Sequence, residues 1–372
     1  MRASAATSVA PLERPILRGP SLTRAALVLG IGATILLAVL VVAVGLGSVG
    51  VGVGDTLGIL GHRLLALPIP QTWSPAAETI IFEIRLPRVL TALLVGGGLA
   101  MSGAVFQALL RNPLADPYII GTAAGASLGA VTGIVLPLLL PALAIGAGSA
   151  WLGIGLVQVL AFIGGLGTVL LVYAVARSGG RVPVVTLLLT GYAVSAVLAA
   201  VVALLMFVSG RALGAIFGWL MGSLADASWS GLAVAAPLLA LSFVLLLSRW
   251  RRLNVLLLGD GQAATLGVDV ERERLRLTML ATLATSAAVA IAGTIGFVGL
   301  VVPHLLRLAI GPDHRLLLPA SLLFGAALLA LADLGARMLG GLPVGIVTAL
   351  IGAPFFLYLL RRARGAGMGA AA

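Results

Sequence analysis

Long apolar runs separated by short charged segments dominate this chain. A helix that crosses the hydrocarbon core of a bilayer, about 30 Å thick, needs about 20 apolar residues. The run 117–176 is long enough for two such helices and is broken by Pro137, Pro141 and the glycines of 146–155. The runs without Asp, Glu or Arg cover residues 25–54, 89–110, 117–176, 182–210, 227–248, 277–306, 316–332 and 338–360. This pattern predicts an all-α, polytopic integral membrane protein with at least nine crossings.

Glycines within the run 277–306 predict a helix near 277–295 and a shorter one near 298–311.

The charges at the two ends of the chain favour ten crossings over nine. Arginine is concentrated in both tails, and basic residues mark the cytoplasmic side of a membrane, so both termini are predicted to be cytoplasmic and the number of crossings even. Ten crossings place 18 Arg on the inner side and five on the outer side, namely Arg63, Arg85, Arg88, Arg211 and Arg337.

The predicted domain organisation follows from this count. Residues 1–24 form a cytoplasmic N-terminal tail, 25–362 a domain of about ten transmembrane helices, and 363–372 a C-terminal tail.

Composition excludes several classes of function. The 372 residues are 60% hydrophobic and 9% charged, with neither Cys nor Lys, which is not the composition of a soluble enzyme. Without Cys there is no thiolate metal site, and without Lys there is no Walker A motif, so any ATP hydrolysis belongs to another subunit. We interpret the net charge of +11 as membrane topology and predict no nucleic-acid partner. The scattered His62, His304 and His314 predict no metal site, and no residues stand out as catalytic.

Two series of glycines recur at a spacing of four residues. Such a series forms a bare stripe on one helix face and lets a neighbouring backbone approach closely. We predict helix packing for both series, with a subunit interface or a substrate path along one stripe as the alternatives. The series are Gly121, Gly125, Gly129 and Gly133, and Gly210, Gly214, Gly218 and Gly222.

The long apolar runs contain no ionisable residue at membrane depth. Ion-coupled carriers usually place such residues there, so this class is disfavoured but kept as an alternative. Asp333 precedes Arg337 by one helical turn near the outer surface, and we expect the two to form an ion pair.

A polar insertion at 249–276 lies on the predicted inner side. Asp260 is expected to cap a short helix over 261–266, with Gly267 as its left-handed C-terminal cap. A helix of about two turns does not persist alone in water and needs a surface to lie on. That surface is either lipid headgroups or a cytoplasmic partner, and the absence of an internal energy source favours the partner.

Several segments of the chain resemble one family. They are RLPRVLTALLVGGGLAMSGAVFQALLRNPLADPYIIGTAAGASLGA (85–130), GWLMGSLADASW (218–229), LNVLLLGDGQAATLGVDV (253–270), GTIGFVGLVVPHLLRLAIGPDHRLLLP (293–319) and LPVGIVTALIGAPFFLYLLRR (342–362). They occur in order over nearly all of 25–362 and are similar to the permease subunits of type II ABC importers, the FecCD-type iron-chelate, haem and vitamin B12 permeases.

The resemblance implies a homodimer in a prokaryotic inner membrane, with two cytoplasmic ATPase subunits and an extracytoplasmic substrate-binding protein. It implies that Arg85, Arg88 and Arg337 receive acidic residues of the binding protein, and that 253–270 contains the helices that couple to the ATPase. The chain itself is expected to bind no cofactor, since ATP and Mg²⁺ are used by the ATPase. The coupling residues are predicted to be Gly259, Asp260, Gly261, Gln262, Ala263, Ala264, Thr265, Leu266 and Gly267.

The resemblance leaves the cargo open. We predict a ferric siderophore, with vitamin B12 and haem as alternatives within the family. From other classes, an ion-coupled secondary transporter would transport without an ATPase, and an exporter would need no binding protein. A membrane enzyme is disfavoured because no nucleophile–base pair or paired carboxylates stand out.

Overall fold

The computed structural model describes residues 21–47, 49–139, 155–179 and 181–368. Within these ranges the regular elements are helices, apart from one isolated bridge between Ser178 and Arg181, which confirms the predicted all-α class for the described part of the chain. The helices are α1 Leu22–Gly45, α2 Val53–Leu65, α3 Pro75–Leu109, α4 Thr122–Leu139, α5 Leu156–Ala176, α6 Val184–Val208, α7 Leu213–Leu220, α8 Trp229–Ser248, α9 Trp250–Leu257, α10 Asp260–Thr265, α11 Val270–Ala292, α12 Val298–Ile310, α13 His314–Met338 and α14 Val344–Met368.

Seven of these helices are long and apolar enough to cross a membrane, namely α1, α3, α5, α6, α8, α11 and α13. Three shorter apolar stretches lie in α4, α12 and α14. The run 277–306 divides as predicted, because α11 ends at Ala292 and α12 begins at Val298. The number of crossings and the side of each terminus stay predictions, and most of the two predicted tails lies outside the described residues.

Helix α3 lies at the centre of the bundle. It packs against α1, α8, α11, α12 and α13. In the most apolar 18-residue stretch of α3, 83% of the residues are buried, whereas the corresponding value for α6 is 11%. Backbone meets backbone at two points along α3: a Cβ added to Gly103 would lie 1.7 Å from the carbonyl oxygen of Gly299, and one added to Gly96 would lie 2.3 Å from that of Gly325. Glycine therefore sets the distance between α3 and its two neighbours.

The first glycine series packs α4 against α5. Added Cβ atoms at Gly125 and Gly129 would lie 2.2 Å and 1.9 Å from carbonyl oxygens of α5, and one at Gly133 would lie 2.8 Å from the Cα of Val157. Gly121 precedes the helix with φ +95° and borders Ser195.

The second glycine series does not form the predicted stripe. Gly210 and Gly222 have φ of +53° and +69°, so no single helix carries all four glycines. Nothing lies within 4 Å of a Cβ added to Gly210, Gly214 or Gly218, and only Gly222 makes a close approach, to the carbonyl oxygen of Thr294. Within one chain Gly210, which precedes α7, and Gly214 and Gly218, which lie on it, therefore make no close packing contact, and a subunit interface stays the alternative prediction.

Polar contacts divide the bundle into two ends. One end joins residues 111, 182, 249–276 and 313–314 through side-chain hydrogen bonds, and we name it the inner end after the orientation predicted from charge. The other end joins 43–49, 85–88 and 333–337, and we name it the outer end.

Candidate coupling and docking sites

The coupling segment, residues 253–270, packs on the bundle through a few apolar side chains. Leu253, Leu256, Ala263 and Val268 are buried. Around α10, by contrast, the residues at 261, 262 and 264–267 are exposed. The outward surface of the segment therefore consists of small, polar and leucine side chains, and its buried side chains pack against the bundle.

Two glycines with positive φ define the ends of α10. Gly267 has φ +77°, the left-handed conformation expected of a C-terminal cap, and the N–H of Val268 donates to the carbonyl oxygen of Ala263 at 3.1 Å. The N-terminal cap is Gly259, with φ +110° and no capping side chain. The prediction that Asp260 caps the helix was wrong, because Asp260 is the first residue of the helix and its carboxylate binds elsewhere.

The Asp260 carboxylate connects the coupling segment to two membrane helices. One oxygen accepts from Arg111, just beyond the end of α3, and the other from Nη2 of Arg274 in α11 at 2.9 Å. Partial burial opposes the charged form, but the hydrogen bonds and charges of Arg274 and Arg111 outweigh it and lower the pKa of the Asp260 carboxyl below its usual value. Asp260 is therefore an ionised link between α10, α3 and α11.

The same network continues to a further loop. Arg274 is buried and also pairs with Glu271 at 3.1 Å, and Glu271 accepts a hydrogen bond from the backbone N–H of Val182 at 3.2 Å. The loop between α5 and α6 is thus joined to the start of α11.

Helix α9 is tied to α13. The Nδ2 of Asn254 donates to Asp313 at 2.7 Å, and its Oδ1 accepts from the backbone N–H of His314 at 2.9 Å. The coupling segment therefore contacts the inner ends of α3, α11 and α13, three helices that contribute to the main hydrophobic core.

The predicted ion pair at the outer end is confirmed and has a third member. The Nε of Arg337 lies 3.1 Å from one Asp333 oxygen, and Arg88 donates to the same carboxylate from Nε at 3.0 Å and from Nη2 at 2.8 Å. The Asp333 side chain is 1% exposed, so one buried carboxylate pairs with an arginine of α3 and with an arginine of α13.

Arg85 and Arg337 also hold the outer end of α1. Arg85 is buried and donates to the carbonyl oxygens of Val44, Gly45 and Val49, while Nη2 of Arg337 donates to that of Ala43 at 2.8 Å. The three arginines predicted to dock a binding protein thus lie together at one end, as expected, but their guanidinium groups make contacts within the chain. Their docking role stays a prediction.

Loss of the Asp333 carboxylate is expected to destabilise the fold. In Asp333→Ala, two largely buried guanidinium groups lose their counter-charge, and breaking a buried pair in this way costs about 3–5 kcal/mol. Thermal unfolding of the purified protein in detergent measures the change. Glu78→Gln is the control, because its partner Arg63 has a side chain that is 54% exposed and such a pair is worth about 0–1 kcal/mol. Equal shifts for the two variants would contradict a structural role for Asp333.

The described residues contain no group of three or more His, Asp or Glu that could hold a metal ion. His314 is buried beside Asn254, and His62 of α2 lies near Gln71, which follows that helix. Sequence reasoning missed Arg111 and Arg274 as partners of Asp260, since no local spacing joins Asp260 to a residue 149 positions away.

Comparisons with known proteins find relatives over most of the chain. A cobalamin import system permease protein, BtuC, from Halobacterium salinarum is 45% identical over 298 residues, 80% of this chain and 76% of the relative. A hemin transport system permease protein, HmuU, from Yersinia pestis is 41% identical over 316 residues, 83% of this chain and 92% of the relative.

A solved structure shares the architecture. It is described as an inward-facing conformation of a metal-chelate type ABC transporter, and it matches with a TM-score of 0.76 at 34% identity, covering 90% of this chain and 99% of that chain. The sequence profile of the FecCD transport family matches residues 35–362, which include the central helix α3, the coupling segment and all the outer-end arginines discussed above. This chain belongs to the FecCD transport family.

Proposed function

We propose that this chain is the permease subunit of an ABC importer that moves a bulky metal chelate inward across the cytoplasmic membrane. The observation that carries the proposal is the family match over 35–362 together with an exposed coupling segment at the inner end. The chain contains no Lys and hence no Walker A motif, which fits a transport subunit whose ATP and Mg²⁺ are bound by separate ATPase subunits.

The proposed assembly is a homodimer with two ATPases below and a binding protein above. The exposure of helix α6 supports a dimer. Only 11% of the residues in its most apolar 18-residue stretch are buried within one chain, and a second copy would cover part of this surface. The exposed surface of residues 261–267 supports an ATPase contact. The outer-end arginines support a binding protein with acidic side chains, by charge complementarity.

The proposed coupling runs through Asp260. An ATPase that moves α10 would move Arg111 and Arg274 with it, because the shared carboxylate joins all three. Arg111 follows α3 and Arg274 belongs to the first turns of α11. The displacement would therefore reach α3 and α11, which pack against each other in the core.

The cargo class proposed is a metal chelate. The two relatives named above import cobalamin and hemin, and both are bulky complexes of a metal with an organic ligand. A ferric siderophore stays our prediction, and cobalamin is the second candidate because the relative with 45% identity is a cobalamin permease.

Reconstituted transport tests the proposal. Vesicles containing this chain and its ATPase subunits, supplied with the binding protein and radiolabelled ferric siderophore or cobalamin, should accumulate one of the two only when ATP is present. A matched preparation without ATPase subunits should accumulate neither. Uptake by that second preparation in response to a proton or sodium gradient would overturn the proposal and favour the ion-coupled class.

Arg88 offers a test of docking that spares the fold. In Arg88→Gln, Asp333 keeps Arg337 as its partner, so one carboxylate still balances one guanidinium group. We expect the affinity for the binding protein to fall by about 2-fold to 5-fold, the effect of losing one solvent-accessible ion pair, with a smaller salt dependence. Titration of labelled binding protein onto the permease in nanodiscs measures it. The control Arg211→Gln removes another outer-side charge, and an equal effect of both variants would contradict a specific role for Arg88.

A further inference from the structure

A tryptophan at the inner end lies close to two guanidinium groups. The Cζ atoms of Arg251 and Arg315 are 5.2 Å and 5.8 Å from the centre of the Trp250 ring, within the distance of a cation–π interaction. Trp250 begins α9, two residues after α8 ends at Ser248. The ring therefore lies where a spanning helix ends, at the depth that tryptophan favours beside lipid headgroups.

The positive charge around Trp250 is not balanced within the described residues. Arg251, Arg252 and Arg315 are exposed, and no carboxylate of the described part of the chain lies within 4.0 Å of them.

Two carboxylates of the inner end, Asp313 and Glu273, already have other partners. Asp313 accepts hydrogen bonds from Asn254 and from the backbone N–H of Arg315. Glu273 pairs with Arg249 and Arg276. An anion beside Trp250 would therefore find two guanidinium groups whose donors are not taken by carboxylates of the described residues.

An apolar strip leads from the membrane interior to this pair of arginines. Leu241, Val244 and Leu245 are exposed on α8, at positions one turn apart on the same side of the helix. Hydrocarbon chains can lie along such a strip, and its inner end is the turn that carries Trp250 and Arg251.

We propose that Trp250, Arg251 and Arg315 form a binding site for the phosphodiester of an anionic phospholipid of the inner leaflet. The two guanidinium groups donate to the phosphate oxygens, Trp250 contacts the glycerol region, and the acyl chains lie along α8. Arginine binds phosphate through paired donors, and basic pockets at the cytoplasmic ends of spanning helices take anionic headgroups. The apolar strip selects a lipid over a protein partner, because an ATPase surface supplies no acyl chain to cover it.

Lipid preference of the intact chain tests the site. The purified protein in detergent is titrated with dioleoyl phosphatidylglycerol or dioleoyl phosphatidylcholine, which share acyl chains, and bound lipid is counted by native mass spectrometry. Each basic residue near an anionic surface contributes about 1 kcal/mol, so the parent protein should favour phosphatidylglycerol by at least about tenfold. In R251Q/R315Q this preference should fall to about twofold or less. Glycerol phosphate, which lacks acyl chains, should not compete at equal concentration.

The matched control is R272Q/R276Q, which removes two other exposed arginines of the inner end and should keep the preference. Three outcomes would overturn the proposal. R251Q/R315Q could retain the full preference; both double variants could lose it equally, which would indicate a diffuse field; or glycerol phosphate could displace the lipid, which would indicate a site for a free phosphate. Monodispersity of each variant in size-exclusion chromatography confirms that the comparison is made on folded protein.

Discussion

Replacement of Gly103 by valine is expected to prevent the native packing of the central helix. A Cβ at this position would lie 1.7 Å from the carbonyl oxygen of Gly299 and 2.8 Å from its Cα. These are backbone atoms, so no side-chain rotation relieves the overlap, and α3 and α12 would have to separate along their contact. Overpacking of a core typically costs about 1–3 kcal/mol, and we expect a larger loss here.

The measurement is the yield of monodisperse protein and its thermal unfolding midpoint in detergent. Gly218→Val is the control, since Gly218 lies in a helix and nothing is within 4 Å of its added Cβ. Both variants place the same β-branched residue in a helix, so propensity is matched. We expect Gly103→Val to be aggregated or strongly destabilised and Gly218→Val to resemble the parent. A normal midpoint for Gly103→Val would show that the approach of α3 to α12 is not as close as described.

Replacement of Gly267 by valine is expected to abolish most uptake while leaving the fold intact. Gly267 has φ +77° and no atom within 4 Å of an added Cβ, so the only penalty is the backbone conformation, which a β-branched residue rarely adopts. The end of α10 would have to rearrange, and the exposed surface of 261–267 with it. Since these residues project from the bundle, membrane insertion and the thermal midpoint should change little.

Gly267→Asn provides the control, because asparagine tolerates the left-handed region. Uptake into vesicles that contain the ATPase subunits should be near normal for asparagine and reduced by about tenfold or more for valine, a loss within the usual range of coupling energies. ATPase association, measured by co-purification, should fall in parallel. Equal uptake by both variants would indicate that the conformation of Gly267 has no part in coupling.

The helices were largely predictable because membrane spans depend on local composition. Runs of apolar residues and interrupting glycines placed the break between α11 and α12 correctly. The sequence pattern placed the start of the second run at 89, whereas α3 begins at Pro75. Charged residues at 83, 85 and 88 ended the apolar run, but they do not end the helix. Arg85 donates to carbonyl groups of α1, and Arg88 pairs with Asp333.

The contacts of the candidate sites were less predictable because they join distant parts of the chain. Asp333 and Arg337 are one turn apart, and their pairing followed from helical spacing, whereas Arg88 lies 245 positions from Asp333. Asp260 is of a residue type that often caps helices, but its partner Arg111 comes from another loop. Glycine spacing likewise predicted the α4 stripe at Gly125, Gly129 and Gly133, but it failed at Gly121, Gly210 and Gly222, because spacing carries no information on the sign of φ.

The central claim is that Asp260 transmits ATPase movement to α3 and α11, and the most direct test is binding-protein-stimulated ATP hydrolysis measured together with uptake in the same vesicles. Asp260→Asn keeps the size of the side chain and removes the charge that Arg111 and Arg274 share. Asp269→Asn is the control, because that residue pairs only locally with Arg272 among the described ion pairs and asparagine can still cap α11.

We predict that Asp260→Asn lowers uptake per ATP hydrolysed by about tenfold, while Asp269→Asn leaves the ratio unchanged. Unchanged uptake per ATP in Asp260→Asn, with normal stimulation by the binding protein, would contradict the account and place the coupling contact outside this carboxylate.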